Sequence, residues 1–216
     1  MTTPTAKNDE YRIRHLLTGC CSHIVDIGAN IGLFSLFARQ ICPNVKIISI
    51  EPHPEAYNRL CRNISNMNNI KTYNMALGDG SLLYLHNAHS RHWNESIFMK
   101  NYVSNCSVAS YRLSDIFAMC LVPFDSKHFL KIDTEGGERY LIDHENSETI
   151  ISSSVQTSME LHFPCRKRPQ FSKFPSLETY KTWLTKFDNT HDVKYYNISL
   201  RGGVAICIMR NRLYPI

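Results

Sequence analysis

The chain of 216 residues has no apolar run near the roughly 20 residues that a membrane-spanning helix needs; stretches such as Val45–Ile50 fall far short. Residues Met1 to Glu10 are polar, so no secretory signal is read there, and a soluble cytoplasmic protein with no membrane partner is expected. None of the eight cysteines forms a C-x-x-C pair, and all are scattered among apolar segments. That spacing excludes a clustered zinc site and a disulfide scaffold, and leaves thiols in a reducing compartment. Without a signal, the four N-x-S sequences at Asn63, Asn94, Asn105 and Asn197 carry little meaning. There is no internal repeat and no low-complexity tract. The P-loop pattern is absent too, which excludes a nucleotide triphosphatase of that type.

What is present suits one folded domain. Hydrophobic residues make up 43% and charged residues 20%, enough to bury a core in a chain of this length. The net charge of +5 is unevenly spread. Between Leu161 and Lys186 lie Arg166, Lys167, Arg168, Lys173, Lys181 and Lys186 against Glu178 alone, so this segment carries the whole excess and would attract an anionic partner. A solvated face is the plainer reading of the same run.

The pattern alternates strand and helix. Asp9–Thr18 reads as a short N-terminal helix, His23–Ile27 as a strand, Leu33–Gln40 as a helix and Val45–Ile50 as a second strand. Pro54 suits the first turn of a helix with Ala56, Leu60, Ile64 and Met67 on one face. Ile70–Ala76 follows as a third strand, then strands at Leu82–Leu85 and Ser107–Arg112 around a polar loop. Phe129–Ile132 and Val155–Phe163 are further strands, with a helix beginning near Glu138 between them. Ser176 caps a helix bearing Leu177, Tyr180, Trp183, Leu184 and Phe187, and a hairpin closes the chain: Val193–Leu200, a turn at Arg201–Gly203, and Val204–Met209. The expected fold is α/β: a mostly parallel seven-stranded Rossmann-like sheet with helices on both faces and a C-terminal antiparallel hairpin. One domain is expected over 1–216, with an N-terminal extension over 1–20, a core over 21–163, and the basic loop, helix and hairpin over 164–216.

Ligands of such sheets bind beyond the carboxyl ends of the strands. Asp26 and Gly28 fall there, as do Glu51, Asp79, Asp133 and Glu135, and Glu160 and His162 at the fifth strand. A row of acids is harder to explain by helix capping than one acid is. In Asp26-x-Gly28-x-Asn30-x-Gly32 the glycines permit a sharp turn and close backbone approach. Glu51 follows at the distance suited to the two hydroxyls of a ribose. The middle glycine that makes room for a pyrophosphate is missing, so the loop and its acidic rim fit a positively charged adenosine ligand without phosphates. S-adenosylmethionine has both properties.

Val25-Asp-Ile-Gly-Ala-Asn-Ile-Gly32, Glu51-Pro52, Ala76-Leu-Gly-Asp79 and Leu130-Lys-Ile-Asp-Thr-Glu-Gly136, in this order, resemble the FkbM family of class I methyltransferases across about residues 20–165. The resemblance implies S-adenosylmethionine at the carboxyl edge. Gly28 and its neighbours Asp26, Asn30 and Gly32 would border the methionine portion, Glu51 would hold the ribose, Asp79 would lie beside the adenine, and Asp133 near the amine or methyl. It also implies an O-methyltransferase acting on small molecules or sugars.

Methyl transfer needs alignment of nucleophile, carbon and sulfur, and a hydroxyl acceptor must also lose a proton. The catalytic candidates are Asp133, Glu135, Glu160 and His162; for His162 a partly buried histidine with a backbone partner is the alternative. Lys131 could mimic the lysine of RNA ribose methyltransferases, although the rest of their set is not clear here. Arg166, Lys167 and Arg168, interleaved with Phe163, Phe171 and Phe174, form a candidate acceptor wall whose cations would meet phosphates while the rings stack on a base. This keeps a second reading open, an RNA methyltransferase acting on the mRNA cap at guanine N7 or a ribose 2′-oxygen. A third is a non-catalytic cofactor-binding domain. His86, His89 and His92 have a spacing open to a metal, a substrate lid or an ordinary loop. No metal is assigned to the site.

Overall fold

The computed structural model describes residues 9–15, 21–85, 98–99, 106–142 and 144–214. Short β-branched runs make its central strands. The elements are β1 (His23–Ile27), α1 (Leu33–Ile41), β2 (Lys46–Ile50), α2 (Pro54–Ile64), β3 (Ile70–Tyr73), β4 (Ala76–Leu77), β5 (Leu82–Leu85), β6 (Phe98–Met99), β7 (Ser107–Tyr111), α3 (Leu113–Met119), β8 (His128–Ile132), α4 (Glu145–Ser153), β9 (Gln156–His162), α5 (Leu177–Leu184), β10 (His191–Ser199) and β11 (Val204–Asn211). Seven strands form the main sheet in the order β10-β11-β9-β8-β1-β2-β3. All its ladders are parallel except those of β11, which runs antiparallel to both β9 and β10. This is the Rossmann-like sheet with a terminal hairpin that the strand–helix alternation implies.

Register places the functional edge. Ile27 lies opposite Ile50 on one side and Ile132 on the other, and Ile132 lies opposite Met159. Gly28, Glu51, Asp133 and Glu160 therefore emerge at one level along the carboxyl edge. Apolar side chains cover both faces: Phe117, Ile150, Tyr180 and Trp183 pack on one side, while Phe37, Ala38 and Phe129 belong to a second buried cluster with Ile13. Cys120 and Cys207 are among the buried thiols of the larger cluster.

Several elements differ from the sequence reading. Ile13–His15 is a single 3-10 turn, because Arg12 adopts a left-handed φ of 57° and the Asp9 carboxylate accepts the amides of Ile13 and Arg14. α2 stops at Ile64, leaving Met67 38% exposed instead of on its apolar face. The third strand ends at Tyr73. Ala76–Leu77 pairs instead with Ser110–Tyr111 in a separate four-stranded sheet of order β4-β7-β5-β6. Gly137–Leu141 is a 3-10 turn, and α3 and α4 are helices that the apolar pattern did not reveal. The histidines at 86, 89 and 92 lie outside the described residues.

A polar row crosses the middle of this apolar sheet. Ser49, Asp26, Lys131 and Ser158 are cross-strand partners on β2, β1, β8 and β9. Lys131 Nζ lies 3.1 Å from Asp26 Oδ1, and the side chains are 4% and 0% exposed. The hydroxyl of Ser35 on α1 donates to Asp26 Oδ2 at 2.6 Å. Removing one partner of such a pair strands a buried charge, at a cost of about 3–5 kcal/mol, whereas an apolar pair of similar volume is tolerated. Lys131→Met should therefore lose about that much stability in urea unfolding, and the double variant Asp26→Leu/Lys131→Met should recover most of it. A loss in the double variant equal to the sum of the losses in Asp26→Leu and Lys131→Met would show that the pair is not coupled.

Candidate active site

The turn after β1 is forced into its shape. The amides of Gly28 and Ala29 both donate to the carbonyl of Ile50, at 2.9 and 2.8 Å, drawing the turn over the end of β2. Gly28 has φ 83°, and a Cβ there would stand 1.7 Å from the backbone oxygen of Asp133. Only glycine fits, and β1 and β8 thereby come together at their carboxyl ends. Asn30 follows at φ 51°. Gly32 begins α1, and its missing side chain makes room for Leu60 of α2, so it shapes the turn from behind.

Glu51 leaves the end of β2 as a buried carboxylate. Its Oε2 accepts the amide of Asn30 and its Oε1 the amide of His53, each at 2.8 Å. Each oxygen keeps a further lone pair, the arrangement that two neighbouring hydroxyls require. Asn74, which sequence reasoning missed, donates to the carbonyls of Glu51 and Pro52 at 2.8 and 2.9 Å and holds this corner. Burial pushes the Glu51 carboxyl up to about 7, against the pull of its two amide donors and of Lys131.

Beside these groups is a cavity of about 320 Å³ lined by Tyr11, Gly28, Asn30, Phe34, Lys131 and Asp133, among others. Tyr11 was not anticipated. Its hydroxyl donates to Asp133 Oδ2 at 2.8 Å, while its backbone carbonyl accepts from Gln156 and Ser158. Burial raises the Tyr11 phenol well above its ordinary value, with Asp133 and Glu160 adding to the effect. The N-terminal segment is thus fastened over β8 and β9. Lys131 donates to the carbonyl of Gly28 at 2.7 Å and lies 3.7 Å from Asp133. Burial opposes its charge, but Asp26, Asp133 and Glu51 together outweigh it and hold the ammonium above the ordinary lysine value. It is an internal strut, not a displayed base.

A second group adjoins the cavity. Glu138, fully buried, accepts the backbone amide of His162 at 2.8 Å on Oε1, which also lies 3.0 Å from His162 Nδ1. Its Oε2 accepts from the Thr134 hydroxyl and the Gly136 amide. His162 Nε2 faces Glu135 at 3.2 Å and Glu160 at 3.6 Å. Burial opposes charge on His162, but Glu138 and Glu135 outweigh it and raise the imidazole well above its ordinary value. Burial, reinforced by Asp133, pushes Glu160 up to about 7.

The structure therefore brings Gly28, Asn30, Glu51 and Asp133 together on one side, and Glu135, Glu160 and His162 beside Asp133 on the other. It does not place Asp26 on the cavity wall. That carboxylate is 0% exposed and is engaged by Lys131 and Ser35, one layer behind the crevice. Asp79 follows β4 of the small sheet, where its Oδ1 accepts the Ser81 amide. Arg166 and Lys167 are exposed in a turn, whereas Arg168 reaches inward to within 3.4 Å of Glu135. Phe171 and Phe174 stack on one another at 4.8 Å and are buried. Glu138 lay unmarked in the sequence, although its place four residues after Thr134 in an Asp-Thr-Glu-Gly-Gly-Glu run was a usable signal.

The raised acids give a signed pH dependence. Glu51 ordinarily titrates near 4.5 and here near 7, so the folded state binds its proton more tightly than the unfolded state does. Its contribution is most favourable at or below the unfolded value and declines until the pH passes the folded one. Glu160 and His162 act with the same sign. In urea unfolding of the ligand-free protein, stability should fall between about pH 5 and 7, by about 3 kcal/mol from Glu51 alone. Glu51→Ala should flatten that slope; an unchanged slope would remove Glu51 as its source.

Known proteins share this architecture. The "Methyltransferase FkbM domain" family matches residues 26–191. "Methyltransferase sdnD" of Sordaria araneosa is 52% identical over 42 residues, a match covering 19% of this chain and 16% of that protein. The METTL16 MTase domain superposes with a TM-score of 0.55 at 12% identity, covering 100% of this chain and 71% of that one. An rRNA methylase from Streptococcus thermophilus gives 0.53 at 8% identity, covering 98% of each chain. At such identities the solved structures speak for the fold alone. The family match spans most of the chain and contains the turn after β1, Glu51, Asp133 and the His162 cluster, and on that ground the chain belongs to the FkbM family of S-adenosylmethionine-dependent methyltransferases.

Proposed function

We propose that this protein transfers a methyl group from S-adenosylmethionine to a hydroxyl of a small molecule or sugar. The donor set suits the cofactor: Glu51, joined to the cavity wall through the Asn30 amide, would offer a lone pair on each oxygen to ribose hydroxyls, and Asp133 on that wall would offer its carboxylate to the amine. Gly28, Asn30 and Tyr11 would wall the space between. S-adenosylmethionine supplies an electrophilic methyl on a sulfonium. The chain's own residues have the remaining tasks: to orient the acceptor, exclude water and take a proton.

The observation that carries the choice of acceptor is the cluster of Glu160, Glu135, Asp133 and His162 beside the cofactor cavity. A hydroxyl must lose its proton, and a base works best when its pKa lies near the working pH. Glu160, its side chain 21% exposed and its carboxyl raised to about 7, meets that condition. His162 is committed to Glu138 through Nδ1, so Glu160 is the proton acceptor in this reading and His162 its neighbour. The basic–aromatic segment lends little to an RNA acceptor. Phe171 and Phe174 lie in a buried stack unavailable to a nucleobase, and Arg168 is turned toward Glu135.

The test is transfer of labelled methyl from S-adenosylmethionine to hydroxylated metabolites and glycans, and in parallel to capped RNA oligonucleotides, at low and moderate salt. Label on metabolites with weak salt dependence is expected. Label on RNA that disappears as salt rises would overturn the acceptor assignment, since phosphate contacts release counterions. Glu160→Gln should lower kcat by about 100-fold or more while cofactor affinity holds. Glu51→Ala should instead weaken S-adenosylmethionine binding by about tenfold or more, as loss of charged hydrogen bonds does. Calorimetric titration separates the two effects.

A further inference from the structure

We infer that Asp133, Glu135 and His162 form a binding site for a divalent transition-metal cation at the edge of the cofactor cavity. One ligand atom from each residue lies within 4.8 Å of the others. A first-row cation with bonds of about 2.1 Å holds its ligand atoms up to about 4.2 Å apart, so a small closure of the carboxylates completes the set. Asp133 and Glu135 can make that closure, since their side chains keep 26% and 19% exposure.

The histidine carries the argument beyond a group of acids. His162 is 0% exposed, and its Nε2 has no hydrogen-bond partner although Glu135 and Glu160 stand at 3.2 and 3.6 Å. Its other nitrogen is 3.0 Å from Glu138, whose remaining capacity is filled by the His162 and Gly136 amides and the Thr134 hydroxyl. This is how metal-binding histidines are commonly held: a carboxylate takes Nδ1–H, fixes the tautomer and ring plane, and leaves the Nε2 lone pair aimed at the ion. Without a cation, Nε2 must face the carboxylates as an imidazolium. Binding releases the Nε2 proton to solvent and puts the cation's two positive charges in place of its one, a net gain of one that the carboxylates of Asp133 and Glu135 face.

One imidazole with two carboxylates favours Mn²⁺, Fe²⁺, Co²⁺ or Zn²⁺ over the all-oxygen ions Mg²⁺ and Ca²⁺. Arg168 Nη1, 3.4 Å from Glu135 Oε2 on a side chain 35% exposed, supplies a counter-charge that can withdraw. On the reading of a hydroxyl acceptor, the ion's open side would bind the acceptor oxygen and ease its deprotonation by Glu160; the binding itself does not rest on that reading.

The probe is Mn²⁺ titrated into the full chain near neutral pH without S-adenosylmethionine. Bound ion is read by loss of the free-ion paramagnetic resonance signal, and separately by the thermal unfolding midpoint. One ion per chain at submillimolar affinity and a raised midpoint are expected. Glu135→Gln and Asp133→Asn, checked for folding by circular dichroism, should each weaken binding by about tenfold or more, as disturbance of a metal site does. Glu178→Gln, on exposed α5, should bind as the natural chain does. No binding at millimolar Mn²⁺, or undiminished binding in both site variants, would overturn the inference and leave His162 as the cation of an internal ion cluster. Methyl transfer at full rate in a chelator would leave the transfer reading intact, whereas Mn²⁺ bound without any transfer would leave the metal site intact.

Discussion

Lys131 stands in the middle of the sheet with its ammonium 3.1 Å from Asp26 and 2.7 Å from the carbonyl of Gly28. The ring centres of Tyr11 and Phe34 lie 5.3 and 5.8 Å away. This interaction joins several parts of the site. It ties β1 to β8 beneath the glycine turn, brings positive charge under Asp133, and gives the N-terminal segment an aromatic seat. Buried ion pairs seldom add net stability, because desolvation consumes what attraction returns. The worth of this one is positional. The Gly28 turn is stretched between the Lys131 ammonium and the Ile50 carbonyl, with a fixed place for the ligand above it.

That central cation also governs how much negative charge the edge can carry. Register sets Glu51, Asp133 and Glu160 at one level of the sheet, where like charges crowd together. Lys131 pulls the Glu51 carboxyl down, yet burial still carries it up to about 7, and burial with Asp133 carries Glu160 up to about 7 as well. Glu51 and Glu160, on either side of Asp133, thus both titrate near pH 7. The ligand-free protein thus holds two acids in unfavourable surroundings.

Sequence reasoning reads the parts of this design that have local signatures. β-branched runs, Pro54 at a helix start, Ser176 as a cap and glycines at a turn all act through near neighbours, and the sheet follows from them. The acids Glu51 and Asp133 were visible because each follows a strand. What escaped depends on contacts distant in sequence. Asp26 reads like an edge acid, yet side chains alternate along a strand and its carboxylate points between α1 and Lys131. Tyr11 reaches Asp133 across 122 residues. Ala76–Leu77 continues an apolar run, but Asn74 is drawn aside to hold the Glu51 corner and the strand breaks there. The aromatics near residue 171 had the composition of a stacking wall, and only packing shows that they stack on each other.

The segment after β9 gains a clear role from that last point. Phe174 lies so close to Gly136 that a Cβ there would stand 2.3 Å from its ring, and Arg139 crosses the same ring at 4.3 Å. Phe171 meets His162 edge-on at 5.3 Å. The pair therefore forms an apolar wall against the Glu135–His162 cluster. A low-dielectric wall strengthens every charge interaction in front of it. It strengthens the hold of Glu138 and Glu135 on the imidazole of His162. The phenylalanines thus pack behind the cluster, and Arg166 and Lys167 are exposed in the turn before them.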